Sequence, residues 1–208
     1  MKTSEKILAK ALFLFNEKGP DQVSALQISQ ELGISYGNLT YHFNKKDDII
    51  LTLYQRMQTE LNNAISGLVQ SLFEETFYLK LINQILEVTW NYRFVYLNLS
   101  SLMTQFEEVK SAEKNYAQSR EKILSKAKEY LIREGFLQPA DQVDYQLTIR
   151  TLSLILYSWI SDANLFYKGD QASKLDYYAR LFFNVALPSL TEKGMEKYRQ
   201  LLQSKSSN

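Results

Sequence analysis

Between Val23 and Phe43 the chain reads VSALQISQELGISYGNLTYHF, and these residues decide the fold. Ser24 is followed three residues later by Gln27, the spacing of a capping box that opens a helix. That helix buries Leu26, Ile28 and Leu32 in this reading and stops at Gly33. Ser35 then offers a second N-cap, for a helix running to about Phe43. Two short helices separated by a glycine turn have the spacing of a helix-turn-helix. Small Ser29 stands where the two would cross, and Ile28, Leu32, Ile34 and Leu39 supply the seam between them. In such a motif the second helix enters the DNA major groove while the first lies across the backbone. The second helix exposes Tyr36, Asn38, Thr40 and Tyr41 in this reading. All can exchange hydrogen bonds, and none is a carboxylate that a phosphate would repel.

Gly37 is costly inside that helix, by about 0.5–1 kcal/mol relative to alanine. Close approach of the backbone to another surface, either DNA or the first helix, accounts for accepting that cost. Lys45 and Lys46 open the following helix, where cations oppose the helix dipole and are poor choices for stability. With the backbone N–H groups of that helix end they suit a phosphate. His42, just upstream, can also donate to one. Asn44, with Asp47 three residues on, is the expected cap.

Outward from this motif the pattern stays helical. Ser4–Lys18 places Ile7, Leu8, Ala11, Leu14 and Phe15 on one face. Seven glycines and three prolines fall almost entirely between periodic segments, at Gly19-Pro20, Gly33, Gly67, Gly135 with Pro139, Gly169, Pro188 and Gly194, so they read as junctions. Longer helices are predicted over 47–65, 69–91, 94–106, 110–134, 141–168 and 173–187, with a polar helical tail beyond Gly194. Trp90, Tyr92, Phe94 and Tyr96 alternate at period two, but no partner strand exists for them. A break between helices near Asn91–Arg93 is the better reading. The fold class is all-α: a three-helix reading head over 1–46, then a larger helical bundle over 47–208.

Composition removes several functions. There are 24 Lys+Arg against 23 Asp+Glu, a net charge of +1, which argues against an indiscriminate basic coat for nucleic acid. Divided at 46/47 the balance is six against four, then 18 against 19, so the small excess lies with the reading head. With no cysteine, disulfides, thiol catalysis and Cys-ligated metals are excluded; with one histidine, so are histidine-pair metal sites. No metal or cofactor is expected. The adjacent pairs Asp47-Asp48, Glu74-Glu75 and Glu107-Glu108 project about 100° apart on a helix and do not converge as an acid and a base. No phosphate loop or nucleophile elbow is present, so the chain reads as a non-enzyme. No run approaches a membrane span and Ala11–Phe15 is too short for a signal core, so a soluble, cytoplasmic protein without a membrane partner is expected.

Residues 7–50 resemble the DNA-binding domain of the TetR/AcrR family of bacterial transcription regulators. The resemblance is carried by Ile7-Leu8, Ala11, Leu14-Phe15, Gly19, Val23-Ser24, Ile28 and Leu32-Gly33-Ile34-Ser35. It continues through Gly37-Asn38-Leu39, Tyr41-His42-Phe43, Lys46-Asp47 and Ile49. The chain departs from the pattern at Lys10 and Ser29, where alanine is usual, and at Thr40, where tyrosine is frequent. The resemblance implies base-edge contacts from Tyr36 and Asn38, and phosphate contacts from Tyr41, His42 and Lys46. The full candidate interface is Ser24, Ser35, Tyr36, Gly37, Asn38, Thr40, Tyr41, His42, Lys45 and Lys46.

It further implies a homodimer on double-stranded operator DNA, paired through its last two long helices. Leu147, Leu154 and Leu165 on one, and Tyr178, Leu181, Phe182 and Val185 on the other, are the candidate interface, with intramolecular core as the alternative. A small-molecule effector in the C-terminal bundle is implied as well, releasing a repressor from DNA. Trp90, Tyr92, Tyr96, Met103, Tyr157, Trp159 and Phe166 are large and several have a polar handle, which suits an apolar or aromatic ligand; plain core is the other reading. A helical ligand-carrying or partner-binding protein with a vestigial reading head is the alternative function.

Overall fold

The computed structural model describes residues 2–71 and 77–206, with side chains described for 2–65 and 82–200. Eleven α-helices are found among them: α1 Thr3–Lys18, α2 Ala25–Leu32, α3 Tyr36–His42, α4 Lys46–Ser71, α5 Phe77–Asn91, α6 Arg93–Leu97, α7 Leu99–Gln105, α8 Glu107–Arg133, α9 Tyr145–Phe166, α10 Gln171–Ala186 and α11 Glu192–Ser206. The only β pairing among the described residues is an isolated bridge between Leu137 and Leu190. No described helix is long and apolar enough to cross a membrane. The chain is all-α.

The chain divides into two compact units, Met1–Asn63 with Val88–Ser111, and Ala64–Glu87 with Ala112–Asn208. This partition differs from the boundary read at 46/47: α4 begins at Lys46, and its residues up to Asn63 group with α1 to α3. Gly67, expected at a junction, lies inside α4. Of the helix expected over 69–91, residues 72–76 lie outside the described residues, as does the Glu74-Glu75 pair.

In the first unit, α1 buries the five residues that its periodicity selects, Ile7, Leu8, Ala11, Leu14 and Phe15. The Ser24 hydroxyl accepts the Gln27 N–H at 3.1 Å and starts α2. Gly33 ends it in the left-handed region (φ +66°), with its own N–H on the Gln30 carbonyl and that of Ile34 on the Ser29 carbonyl. These two bonds satisfy carbonyls that the helix end leaves free, and glycine adopts this conformation without Cβ strain. Ser29 is 1% exposed and returns its hydroxyl to the Leu26 carbonyl, so two helices cross over it without an orphan polar group. Leu26 is 51% exposed, against the expectation that it is buried; Ile28, expected with it, is fully buried, and Leu32 is half-buried.

The break at 91–93 is present, and the expected 94–106 helix is two pieces hinged at Asn98. Asn16 of α1 serves both ends of the break: its amide donates to the Asn91 carbonyl at 2.7 Å and accepts the Phe94 N–H at 3.0 Å. Each of those is a backbone group that a helix terminus leaves without a partner. Arg56 of α4 forms a two-pronged pair with Glu5 of α1, at 2.8 and 2.6 Å.

In the second unit, α9 starts at Tyr145 rather than 141 because the Asp144 carboxylate caps it, accepting from Leu147 N–H at 3.0 Å. Asp170 does the same for α10 through Ser173 N–H at 2.9 Å. Trp159 and Tyr178 are each 1% exposed, with rings 5.2 Å apart, and pin α9 to α10.

Candidate functional site

α3 is a seven-residue helix held at both ends and along one side. Ser35 accepts the Asn38 N–H at 3.1 Å, Phe43 returns its N–H to Leu39, and Leu39 is fully buried. Anchoring Leu39 turns Tyr36, Gly37, Asn38, Tyr41 and His42 outward, and all five are exposed. Tyr41 is 85% exposed, an extreme value for an aromatic side chain, with its ring 5.2 Å from His42 in an edge-on arrangement. Thr40 is half-buried, its hydroxyl on the Gly37 carbonyl at 3.2 Å. The helix carries no acidic residue.

Around α3, Ser24 and Ser35 are exposed, each already accepting one backbone N–H. The cap of α4 is displaced by one residue from the expected Asn44–Asp47 pair: Lys45 N–H is accepted by Asp48 Oδ2 at 3.2 Å. Asp47 and Asp48 also bring negative charge to the positive end of α4, which offsets the unfavourable position of the two lysines. Lys45 is exposed and 3.8 Å from Asp47. Lys46 is half-buried and donates from Nζ to the Pro20 carbonyl at 2.8 Å, tying α4 to the turn that precedes α2. A Cβ built on Gly37 meets nothing closer than Ser35 Oγ at 4.0 Å, so the first helix does not require glycine there.

The second unit contains a partly open cavity of about 550 Å³, lined from α4, α5, α8, α9, α10 and α11. Among the described residues its walls are mainly Ile, Leu, Phe and Ala, and its charged lining residues are Arg120, Lys128 and Lys197, with no carboxylate. Tyr145 and Ser153 on its wall are satisfied, donating to the Gln138 carbonyl at 2.7 Å and to the Ile149 carbonyl at 2.8 Å. Tyr116 hydroxyl and Arg120 Nη1 are buried without a hydrogen-bond partner. Burial pushes the Tyr116 phenol up to about 12, with Arg120 pulling it down and Glu113 raising it.

None of the seven residues expected to hold a ligand lines this cavity. Trp90, Tyr92, Tyr96 and Met103 belong to the first unit, where Tyr92 donates to Glu60 at 2.6 Å and Arg93 stacks 5.1 Å from the Trp90 ring. Trp159 is core, Tyr157 donates to Glu113 at 3.1 Å, and Phe166 is 73% exposed at the end of α9. Of the seven, Tyr92 and Trp159 are buried, Phe166 is exposed and the others are half-buried. The usable signal was different: Tyr116, Arg120, Ile123, Ala127 and Leu131 follow one face of α8, and an arginine in line with buried positions marks a polar group inside a wall.

Of the expected dimer residues, Leu147, Leu154 and Leu165 form an exposed stripe on α9, at 64%, 56% and 73%, and Leu181 is 36% exposed. Tyr178 and Phe182 are buried within the protomer, and Val185 is half-buried.

Residues 7–53 match the model described as bacterial regulatory proteins, tetR family, and residues 56–198 match TetR, described as a bacterial transcriptional repressor. A Bacillus subtilis (strain 168) protein, the probable HTH-type transcriptional regulator YttP, is 27% identical over 117 residues, 52% of this chain and 56% of that protein. The matched stretch thus spans little more than half of either. A TetR-family transcriptional regulator from Marinobacter aquaeolei VT8 shares the fold at TM-score 0.82 and 23% identity, over 98% of each chain. The ketosteroid transcriptional regulator KstR2 of Mycobacterium tuberculosis does so at 0.71 and 18%, over 92% of this chain and 96% of that one.

Proposed function

Since the chain belongs to the tetR family of bacterial regulatory proteins, we propose that it is a homodimeric, sequence-specific DNA-binding transcription regulator, a cytoplasmic repressor released from its operator by a small molecule. Residues 1–46 form the reading head and 47–208 the regulatory and dimerisation region in this proposal. The observation that carries it is the outer face of α3: Tyr36, Asn38, Tyr41 and His42 stand exposed around a glycine, on a helix without carboxylates, over a fully buried Leu39.

Tyr36, Asn38 and Thr40 face base edges, where an asparagine paired two-pronged with adenine contributes about 1–3 kcal/mol of discrimination. Tyr41, His42, Lys45 and the capped ends at Ser24 and Ser35 face phosphates. Lys46 keeps two donors after holding the Pro20 carbonyl and contributes to the same contact. Two heads are needed for two half-sites, and the exposed leucine stripe of α9 supplies apolar surface for pairing. The cavity in the second unit takes the effector, which must prefer the conformation with weaker DNA affinity for release to follow.

Selection of bound DNA from a random library tests the reading, with a two-fold symmetric site expected. On that site, Asn38→Ala weakens specific binding and spares non-specific binding. Lys45→Ala weakens both and reduces the salt slope by about one unit per head. Equal, salt-independent losses from the two substitutions contradict the assignment.

A further inference from the structure

The cavity of the second unit follows α8 from Tyr116 to Leu131 and α9 from Tyr145 to Leu156, so it is long: at 1.5 Å per residue these edges span about 22 and 16 Å. Its polar groups are unevenly placed. The Arg120 guanidinium is held between two rings, 5.4 Å from the centroid of Tyr116 and 5.4 Å from that of Tyr157. That stacking fixes its plane but leaves Nη1 buried with no acceptor, and the Tyr116 hydroxyl, on a residue 7% exposed, has none either. Buried donors without acceptors cost about 1–3 kcal/mol each, more when charged, so two on residues one turn apart in the lining helix mark a place built for something that accepts. The hydroxyls of Tyr145 and Ser153 elsewhere on the wall have protein acceptors. Glu113, the carboxylate that takes the Tyr157 hydroxyl, does not line the cavity.

Resting on the effector reading above and narrowing it, we propose that the cavity binds an amphipathic anion, a carboxylate carrying a long apolar chain, with its head group on Arg120 Nη1 and the Tyr116 hydroxyl and its tail along the leucine and isoleucine walls. The geometry disfavours a cation, because the charged lining among the described residues is Arg120, Lys128 and Lys197, all cationic. It also disfavours a wholly apolar ligand, which would leave both donors buried and unused. The Tyr116 phenol, raised by burial, stays protonated at neutral pH and so remains a donor. Arginine suits the carboxylate because its planar fork matches two oxygens, and charge-assisted bonds are about twice as strong as neutral ones.

The test is calorimetric titration of the full chain with dodecanoate, dodecanol and dodecylamine, each below micelle-forming concentration. Dodecanoate is expected to bind at least about tenfold more tightly than dodecanol, the equivalent of one charge-assisted bond, with dodecylamine weakest. Arg120→Gln should bring dodecanoate to the level of dodecanol while leaving dodecanol within about twofold, since the apolar area is kept. Tyr116→Phe should weaken dodecanoate alone. Equal affinity for acid and alcohol, a preference for the amine, or equal losses of both ligands in Arg120→Gln overturns the anion assignment and leaves an apolar effector site standing. If none of the three binds to the native chain with its helical circular dichroism intact, the cavity as an effector site fails with it. Should Arg120→Gln not fold, an unchanged acid-to-alcohol ratio in Tyr116→Phe overturns the proposal.

Discussion

Replacing Gly37 by alanine separates the stability of the reading head from its use. A Cβ at Gly37 finds its nearest atom, Ser35 Oγ, at 4.0 Å, an ordinary contact, and the residue does not have a positive φ. No steric or conformational penalty therefore opposes the change. What remains is the gain from removing a glycine inside a helix, about 0.5–1 kcal/mol. In a chain of this size 1 kcal/mol moves Tm by about 2–4 °C, so a rise of about 1–4 °C is expected in a thermal scan at fixed protein concentration. The same methyl points outward, between Tyr36 and Asn38 on the face assigned to DNA. If the backbone there comes into van der Waals contact with the duplex, a methyl forces overpacking of about 1–3 kcal/mol, a five- to 150-fold loss of operator affinity. Fluorescence anisotropy with labelled operator, alongside the melting curve, reads both quantities on one preparation. A more stable variant with native affinity removes close backbone approach as the reason for Gly37. A less stable variant refutes the packing argument itself.

Three further outcomes follow from the same structure. Ser35→Ala removes the acceptor for Asn38 N–H and should cost about 1 kcal/mol in urea unfolding, with a loss of operator binding because α3 has only seven residues to hold its register. Asn16→Ala strands the Phe94 N–H on a fully buried residue and releases the Asn91 carbonyl to water, a loss of about 2–3 kcal/mol after the helix-propensity gain of alanine; Asn62→Ala, exposed on α4, is the control and should show only that gain, about 0.5 kcal/mol. If both asparagine variants melt alike, the clamp is of no consequence. The Arg56 guanidinium holds the Glu5 carboxyl below the usual glutamate range, so the pair's contribution is present above the unfolded value and is lost as pH falls through the lowered one. Stability measured against pH should accordingly show a shallower acid limb in Glu5→Gln; identical limbs count against the pair.

The reading head was largely legible because its determinants are local. Capping by Ser24 and Ser35, the left-handed turn at Gly33 and the buried face of α1 each depend on residues within four positions of one another, and periodicity reports them. Legibility ended where backbone placement shifted by one residue or where contacts join distant segments. The α4 cap fell on Lys45 and Asp48, not on Asn44 and Asp47, since both spacings satisfy the same rule. Leu26 reads as apolar and helical, yet it faces solvent: with Ile28 and Ser29 turned into the crossing, it falls outside the buried arc.

The sequence by itself determined that this chain is all-α, that Val23–Phe43 is a helix-turn-helix, and that Tyr36, Asn38 and Tyr41 of its second helix face outward, though not that Thr40 is half-buried. Tertiary structure alone decided where the second unit is hollow. Large aromatic residues fill space, and Trp159 and Tyr178 do so in the core; a cavity arises where side chains from six helices fail to meet, which no single helical pattern records. Arg120 and Tyr116 show the same division. On α8 they are a cation and a phenol one turn apart, and only the packing of other helices around them withholds the acceptors that would make them ordinary.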